Sequence, residues 1–543
     1  MNKNIFPKNY KVNQLSDLIS QIHNVFIKSD NKLNRSRLVL NNITGGQLLK
    51  KYSNIKQQNQ SKFFTDFIGD FFSNIPRWRS PFLEYNIGSA INSYASALYA
   101  IALDENIINT HEGLAGNTMF AEKTVVNILA DFAKLKTKPV GLFTFGGTAT
   151  NLYALRIGIK KALTKGIKLS DMYILITEDA HFSHQVSCDW LGIEPTHVWI
   201  IKKSKNNQSL SLDAQEKIKM IMKKGGHVAT IIINGGTTYD QTIDNILQFR
   251  NLINKLLKQN SRMTKPHLHV DSVIGWSWLF MSKYDFNKNP LKINGFTLQA
   301  LKSQYQKIKN IKLADSWGVD FHKGIGACPA PCSIIMINKS SDISFISKVN
   351  SVETHQLGKE EFLESPVDYT LETTRSAGPA LSALISLHTL GINGYIKTLS
   401  SLVESSLRLK ELLSKYKDIV VMNKNSKGFA TMVRLLPFSL VEKYLYKDEL
   451  GILSDKFVEV SESINRYNQA FYKWYRERLV KSNYRSFDFS YSKKYIENTA
   501  GVSLGAIKLY PVSPFFSKKY CFETVKYIRK LKNEFDLLYN KNE

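Results

Sequence analysis

Gly141-Leu142-Phe143-Thr144-Phe145-Gly146-Gly147-Thr148-Ala149-Thr150-Asn151 runs from an apolar stretch through a glycine pair into residues with helical spacing. Beyond it Leu152, Leu155, Ile159 and Leu163 recur every three or four positions, while Arg156, Lys160 and Lys161 fall on the other side. That is a buried strand, a tight turn and an amphipathic helix. The same grammar repeats down the chain, with apolar runs at 172–176, 198–201, 228–233, 268–270 and 333–337 separated by amphipathic segments. Nearly continuous apolar runs suit strands covered on both faces, so residues 121–385 are predicted to form a mostly parallel sheet wrapped by helices, an α/β fold. In such a sheet ligands gather at the carboxyl ends of the strands.

The flanks read differently. Residues 1–120 open polar and lysine-rich, with a helical stripe at Leu15, Leu18, Ile19, Ile22 and Phe26 and a ring cluster at Phe63, Phe64, Phe67, Phe71 and Phe72. Spacings of three and four put these rings on one helix side, which reads as a packing arm for a core or a subunit interface. Residues 386–543 show a helix near 401–413, strands near 419–422 and 430–435 and a last helix at 522–539. A smaller α+β domain fits that pattern. A chain of 543 residues with 43% hydrophobic and 11% aromatic residues has enough apolar material for two or three such domains.

The formal charge of +27, from 73 basic and 46 acidic residues, could signal a polyanion partner. The lysines are scattered rather than gathered in a stripe, so a compositional bias with solvated faces is the better reading, and neither a nucleic acid nor a membrane is expected as a partner. Four cysteines, Cys188, Cys328, Cys332 and Cys521, make no disulfide framework, and Cys328 with Cys332 lacks the second ligand pair of a zinc site. No metal site is expected. With no signal-peptide core and no run of ~18 uncharged apolar residues, a cytoplasmic address follows by default.

Several residues carry chemistry. The Gly146-Gly147-Thr148 turn could present backbone N–H groups and a hydroxyl to a phosphate at a helix start, though an ordinary turn with a threonine cap uses the same residues. It is neither a dinucleotide fingerprint nor a P-loop. Ala180-His181-Phe182-Ser183-His184 follows the 172–176 strand and offers two imidazoles, either of which could stack on a flat ring. Asn234-Gly235-Gly236-Thr237-Thr238 sets small hydroxyls after another strand, as turn chemistry alone would. Asp271 ends the His269-Val270-Asp271 run, where a buried carboxylate needs a partner such as a ring N–H⁺; a ribose or a metal would also serve. Further on stands Asp315-Ser316-Trp317-Gly318-Val319-Asp320-Phe321-His322-Lys323. A lysine amine that condenses with an aldehyde and a carboxylate that keeps a pyridine nitrogen protonated are what pyridoxal 5'-phosphate requires. To react, Lys323 must be neutral, so partial burial near other cations is expected around it.

Together these segments resemble the group II pyridoxal-phosphate-dependent amino-acid decarboxylases, the family of glutamate, aromatic amino-acid and histidine decarboxylases, from about Pro81 to Arg375 and more weakly beyond. The resemblance implies the fold-type I aminotransferase-like architecture and a carboxy-lyase reaction that turns an L-amino acid into an amine and CO₂. It implies that Lys323 is the Schiff-base lysine, Asp271 the pyridine partner and His181 the ring-stacking imidazole. By the same resemblance Gly147, Thr148 and His322 hold the phosphate, Thr238 touches the cofactor, Asp244 is structural and Arg375 lies behind the site. A homodimer with the site at the subunit interface is implied too.

One feature departs from the pattern. Family members often carry a tyrosine on a mobile loop after the lysine, which protonates the product carbon, yet residues 339–368 contain none. His355 is the replacement there, and Tyr369 lies just beyond. Related enzymes without that tyrosine make aldehydes by oxidative deamination, so an aldehyde synthase, or a carbon–carbon lyase on the same scaffold, stays as the alternative. A basic, non-catalytic binding protein is the rival from another class.

Overall fold

The computed structural model describes residues 13–29, 36–38, 40–41, 43–53, 60–203, 209–347, 365–442, 455–481, 487–498 and 500–539. They fall into two compact units: one drawn from 1–86, 417–419 and 434–543, the other from 87–416 and 420–433.

The second unit is built on a seven-stranded sheet. Its strands are β1 (Val140–Thr144), β2 (Met172–Thr177), β3 (Val198–Ile201), β4 (His227–Asn234), β5 (His267–Asp271), β6 (Ser316–Asp320) and β7 (Ser333–Ile337). The order across the sheet is β1-β7-β6-β5-β4-β2-β3. Only β7 runs antiparallel to its neighbours, so the other six strands deliver their carboxyl ends to one edge. Five of the seven coincide with the apolar runs at 172–176, 198–201, 228–233, 268–270 and 333–337, and β1 with the opening stretch. β6 does not announce itself, because Ser316, Gly318 and Asp320 dilute its hydrophobicity. All five of its residues are nevertheless buried.

Helix α1 (Gly147–Leu163) shows why the alternation closes into layers. One side, with Leu155 and Ile159, packs with Met172, Ile174, Ile176 and Ile232. Its other side, with Tyr153, Ala154 and Ile157, packs with Leu142, Ile335 and Ile337. Each such aliphatic side chain contributes on the order of 1.5–3 kcal/mol when taken from water, so two apolar faces fix the helix over the sheet. The approach is close: a Cβ at Gly158 would lie 2.0 Å from Thr230 Oγ1.

In the first unit Leu83–Glu84 pairs in parallel with the start of a strand at Asp488–Glu497, which pairs antiparallel with Ser503–Leu509. Helices Asp455–Lys481 and Lys518–Tyr539 cover it with rings, Tyr475 stacking on Phe489 at 4.2 Å and Phe471 meeting Phe535 at 5.5 Å. The strand at Asp488–Glu497 went unread in the sequence, since its serines and lysines mask the alternation of a half-buried strand. The Phe63, Phe67 and Phe71 stripe lies on a helix at Gln60–Phe71 and gathers round Tyr52, with centroids 5.9, 5.6 and 4.9 Å away. Among the described residues, no helix is long and apolar enough to cross a membrane.

Candidate active site

The carboxyl ends of β1, β2, β4, β5 and β6 open onto one cleft of about 740 Å³, its mouth included. Gly146, Gly147 and Thr148 line it after β1, His181 and Ser183 after β2, Thr237 and Thr238 after β4, Asp271 at the tip of β5, and His322 and Lys323 after β6. Seven residues singled out in the sequence thus meet in one place: Gly147, Thr148, His181, Thr238, Asp271, His322 and Lys323. His355, the expected loop replacement, lies outside the described residues.

The glycine turn suits an anion. Gly146 takes a φ of 139° and helix α1 begins at Gly147 with no side chain capping its first amides. Thr148 is therefore not the cap that an ordinary turn would use; it sits exposed in the first turn, facing the cleft. Open helix-start amides beside a free hydroxyl are a phosphate-sized donor set.

Asp271 is buried, and its surroundings keep it charged. Burial works to raise its pKa, but His184, His269 and Lys323 outweigh that and hold the carboxyl well below the usual carboxylate range. His184 Nε2 stands 2.9 Å from Oδ2, Asn151 Nδ2 donates to Oδ2 at 3.3 Å, and the Val273 amide donates to Oδ1 at 3.4 Å. Behind them Asn151 Oδ1 meets His269 Nε2 at 3.2 Å, and His269 Nδ1 meets Ser316 Oγ at 2.8 Å. Burial lowers His269 to about 3, so that ring is neutral and acts as a strut. The two adjacent imidazoles separate clearly: His181 lines the cleft, whereas His184 is buried against Asp271.

His181 is oriented from below. The Ser183 amide donates to its Nδ1 at 3.2 Å, which leaves the neutral ring's proton on Nε2. Burial, ahead of the opposing pull of Asp271, lowers its pKa, so the ring is neutral at physiological pH.

Lys323 corrects the expectation of neighbouring cations. Its Nζ lies 2.7 Å from Oδ2 of Asp320, a fully buried carboxylate. Burial pulls the ammonium down, but the charge and hydrogen bond of Asp320, with Asp271 behind, override it and raise the pKa. The backbone is clamped as well: the Ser89 amide donates to His322 O at 3.3 Å and the Gly324 amide to Ile87 O at 2.7 Å.

Asp244 and Arg375 stand away from the cleft. Asp244 Oδ2 accepts the Thr177 hydroxyl and the Asn234 amide, both at 2.7 Å, tying the ends of β2 and β4 together, and burial raises its pKa to about 6. Arg375 is buried and donates to Glu122 Oε1 at 2.9 Å and Phe143 O at 2.8 Å, bracing β1. Four residues that shape the cleft carried no assigned role in the sequence: Asn151, His184, His269 and Asp320. Two had a signal: Asp320, as an acid three residues before the lysine at a strand end, and His184, as the alternative imidazole to His181. Among the described residues no group of three or more His, Cys, Asp or Glu is arranged to hold a metal, and the four cysteines are buried and form no disulfide.

No protein-family model matches the chain. A probable L-tyrosine/L-aspartate decarboxylase of Methanocella arvoryzae is 24% identical over 350 residues, 63% of this chain and 79% of that protein. The Oryza sativa TDC crystallised with PLP and tryptamine superposes with a TM-score of 0.76 at 13% identity, over 97% of this chain and 99% of that one. Rhodiola rosea 4-hydroxyphenylacetaldehyde synthase superposes at 0.72, also at 13% identity, over 97% and 99%. The fold is therefore that of the fold-type I pyridoxal-phosphate enzymes. The chain is thus similar in sequence to a named amino-acid decarboxylase and shares its fold with solved enzymes of that kind.

Proposed function

We propose that this protein is a carboxy-lyase that uses pyridoxal 5'-phosphate to remove CO₂ from an L-amino acid. One observation carries the reading: a lysine, a charged buried carboxylate and an open helix-start glycine turn line a single cleft, although they lie far apart in the chain. The named decarboxylase relatives support it.

The residues fit the cofactor. Lys323 would carry it covalently through Nζ, Asp271 would hold a proton on its ring nitrogen, and Gly147, Thr148 and His322 would bind its phosphate, with Thr238 alongside. When bound, the cofactor supplies an electron sink conjugated to the substrate's α-carbon. His181 presents a neutral ring over the cleft, where it orients and excludes water without adding a competing charge. The Asn151, His184 and His269 struts keep Asp271 ionised and aimed, as it would need to be to hold a proton on the cofactor's ring nitrogen. Such positioning matters because an error of about 1 Å can cost about a hundredfold in rate.

A second reading rests on residues 339–368, which contain no tyrosine to protonate the product carbon. It makes the product an aldehyde rather than an amine, as the Rhodiola rosea neighbour's name describes. We further propose a homodimer, supported by the family resemblance and by large apolar side chains left exposed in the segment after β2, Phe182 at 70% and Trp190 at 75%.

The test supplies purified protein with pyridoxal 5'-phosphate, looks for visible absorbance and a borohydride-trapped adduct on Lys323, and then screens the protein amino acids for CO₂ release. An adduct on Lys323 and CO₂ from at least one amino acid are expected. Amine alone supports simple decarboxylation, whereas aldehyde with hydrogen peroxide and oxygen uptake supports the second reading. A colourless protein with no adduct refutes both.

A further inference from the structure

Asp320 ends β6 with its side chain wholly buried, and among the described residues neither carboxylate oxygen receives a backbone amide. In this it differs from Asp271, Asp244 and Asp315, each of which accepts at least one backbone N–H. What faces Asp320 is Lys323 Nζ at 2.7 Å and, farther off, His322 Nε2 at 3.7 Å, too long for a hydrogen bond. The carboxylate also crowds the first residue of helix α1, where a Cβ at Gly147 would meet Oδ2 at 2.7 Å and Oδ1 at 3.1 Å.

A buried carboxylate without amide donors is costly to keep charged, by several kcal/mol, unless a cation stays against it. In the pair as it stands, Lys323 supplies that cation. On the reading given above, the same nitrogen must join the cofactor's carbonyl carbon. Of the three hydrogens on the Lys323 ammonium, two leave with the carbonyl oxygen as water as the C=O bond is replaced by C=N, and one stays on nitrogen. The positive charge is conserved only if that last proton is retained.

We propose that Asp320 is the positioning counter-ion of the Lys323 nitrogen, holding a proton on it both before and after it binds the cofactor. A carbon bound to a protonated nitrogen is the more electrophilic, so the pair prepares the linkage for attack by an incoming amino group. The other titratable groups near the pair do not replace it. Asp271 acts on Lys323 from β5 but already faces His184, His181 is a neutral ring from the segment after β2, and Cys332, just before β7, is a buried thiol that burial pushes well above its usual pKa. His322 approaches the same oxygen, Oδ2, but only to 3.7 Å, and its Nδ1 accepts the Cys332 amide at 3.3 Å.

This inference rests on Lys323 being the cofactor lysine, and its test separates the two claims. The visible band of the Lys323 adduct is titrated with pH in wild type, Asp320→Asn and Asp320→Glu. The midpoint at which the linking nitrogen loses its proton falls by at least about one unit in Asp320→Asn, a tenfold loss of proton affinity, and returns towards wild type in Asp320→Glu. An unchanged midpoint in a cofactor-loaded Asp320→Asn protein overturns the proposal while leaving the enzyme reading intact. Should the variants fail to fold, the wild-type protein labelled with ¹⁵N-lysine gives the answer: the nitrogen shift reports a protonated linkage at neutral pH if Asp320 acts as described, and an unprotonated one overturns it. If wild type forms no visible adduct at all, the cofactor reading itself fails.

Discussion

Asp271 and Lys323 are both ionised in this cleft, for different reasons. Asp271 is held by a shell of fixed partners, His184, Asn151 and the Val273 amide, whereas Lys323 leans chiefly on the carboxylate of Asp320, with Asp271 farther behind. A residue whose charge is maintained by several rigid donors can impose that charge on a neighbour. Asp271→Asn keeps the shape and leaves the main Lys323 partner, Asp320, in place, so the coloured adduct should still form while the chemical step falls by about 10²–10³-fold, the usual scale for losing one preorganised electrostatic group. Single-turnover CO₂ release measured beside the adduct spectrum checks this. Equal losses in both would show that Asp271 serves only to hold the fold.

The start of α1 joins the strand layer to the site. Gly147 is the first helical residue, and the carboxylate of Asp320 and Val273 Cγ1 crowd the place where its side chain would stand, the latter at 3.1 Å. Alanine normally gains about 1 kcal/mol over glycine in a helix. Here the clash opposes that gain, because Asp320 is buried and paired and overpacking typically costs about 1–3 kcal/mol. Gly147→Ala should therefore lower the thermal midpoint rather than raise it, and should weaken retention of pyridoxal phosphate on dialysis. A higher midpoint with unchanged retention would mean that the contact between α1 and β6 relaxes freely.

For the molecule as a whole, the charge of +27 is spread along the chain, and many lysines and arginines pair locally, as Lys217 does with Asp213 and Arg529 with Asp418. Such pairs are worth little individually at an exposed surface but keep the excess from forming one stripe. The proposed assembly has a direct consequence for mass: light scattering of the cofactor-loaded protein should give about twice the 61.9 kDa of the chain. An active species of single-chain mass sinks the dimer.

Strand-by-strand alternation was legible at β1 to β5 and β7 because burial on both faces demands uninterrupted apolar residues, a demand visible in one dimension. β6 escaped for the opposite reason, being short, interrupted by Gly318 and ended by Asp320, and covered by neighbours far away in the chain. Lys323, Asp271, Gly147 and Thr148 could be singled out from residue type and position after a strand. The environment of each could not. That His184 rather than His181 lies against Asp271, that Asn151 and His269 brace it, and that an anion rather than cations faces Lys323 are matters of three-dimensional distance. Local spacing governs which backbone hydrogen bonds and apolar faces a segment can form, and so the order of elements is written along the chain. Electrostatic partners are chosen by proximity after the strands have aligned, and the Coulomb interaction that shifts a pKa depends on that separation and not on distance in sequence.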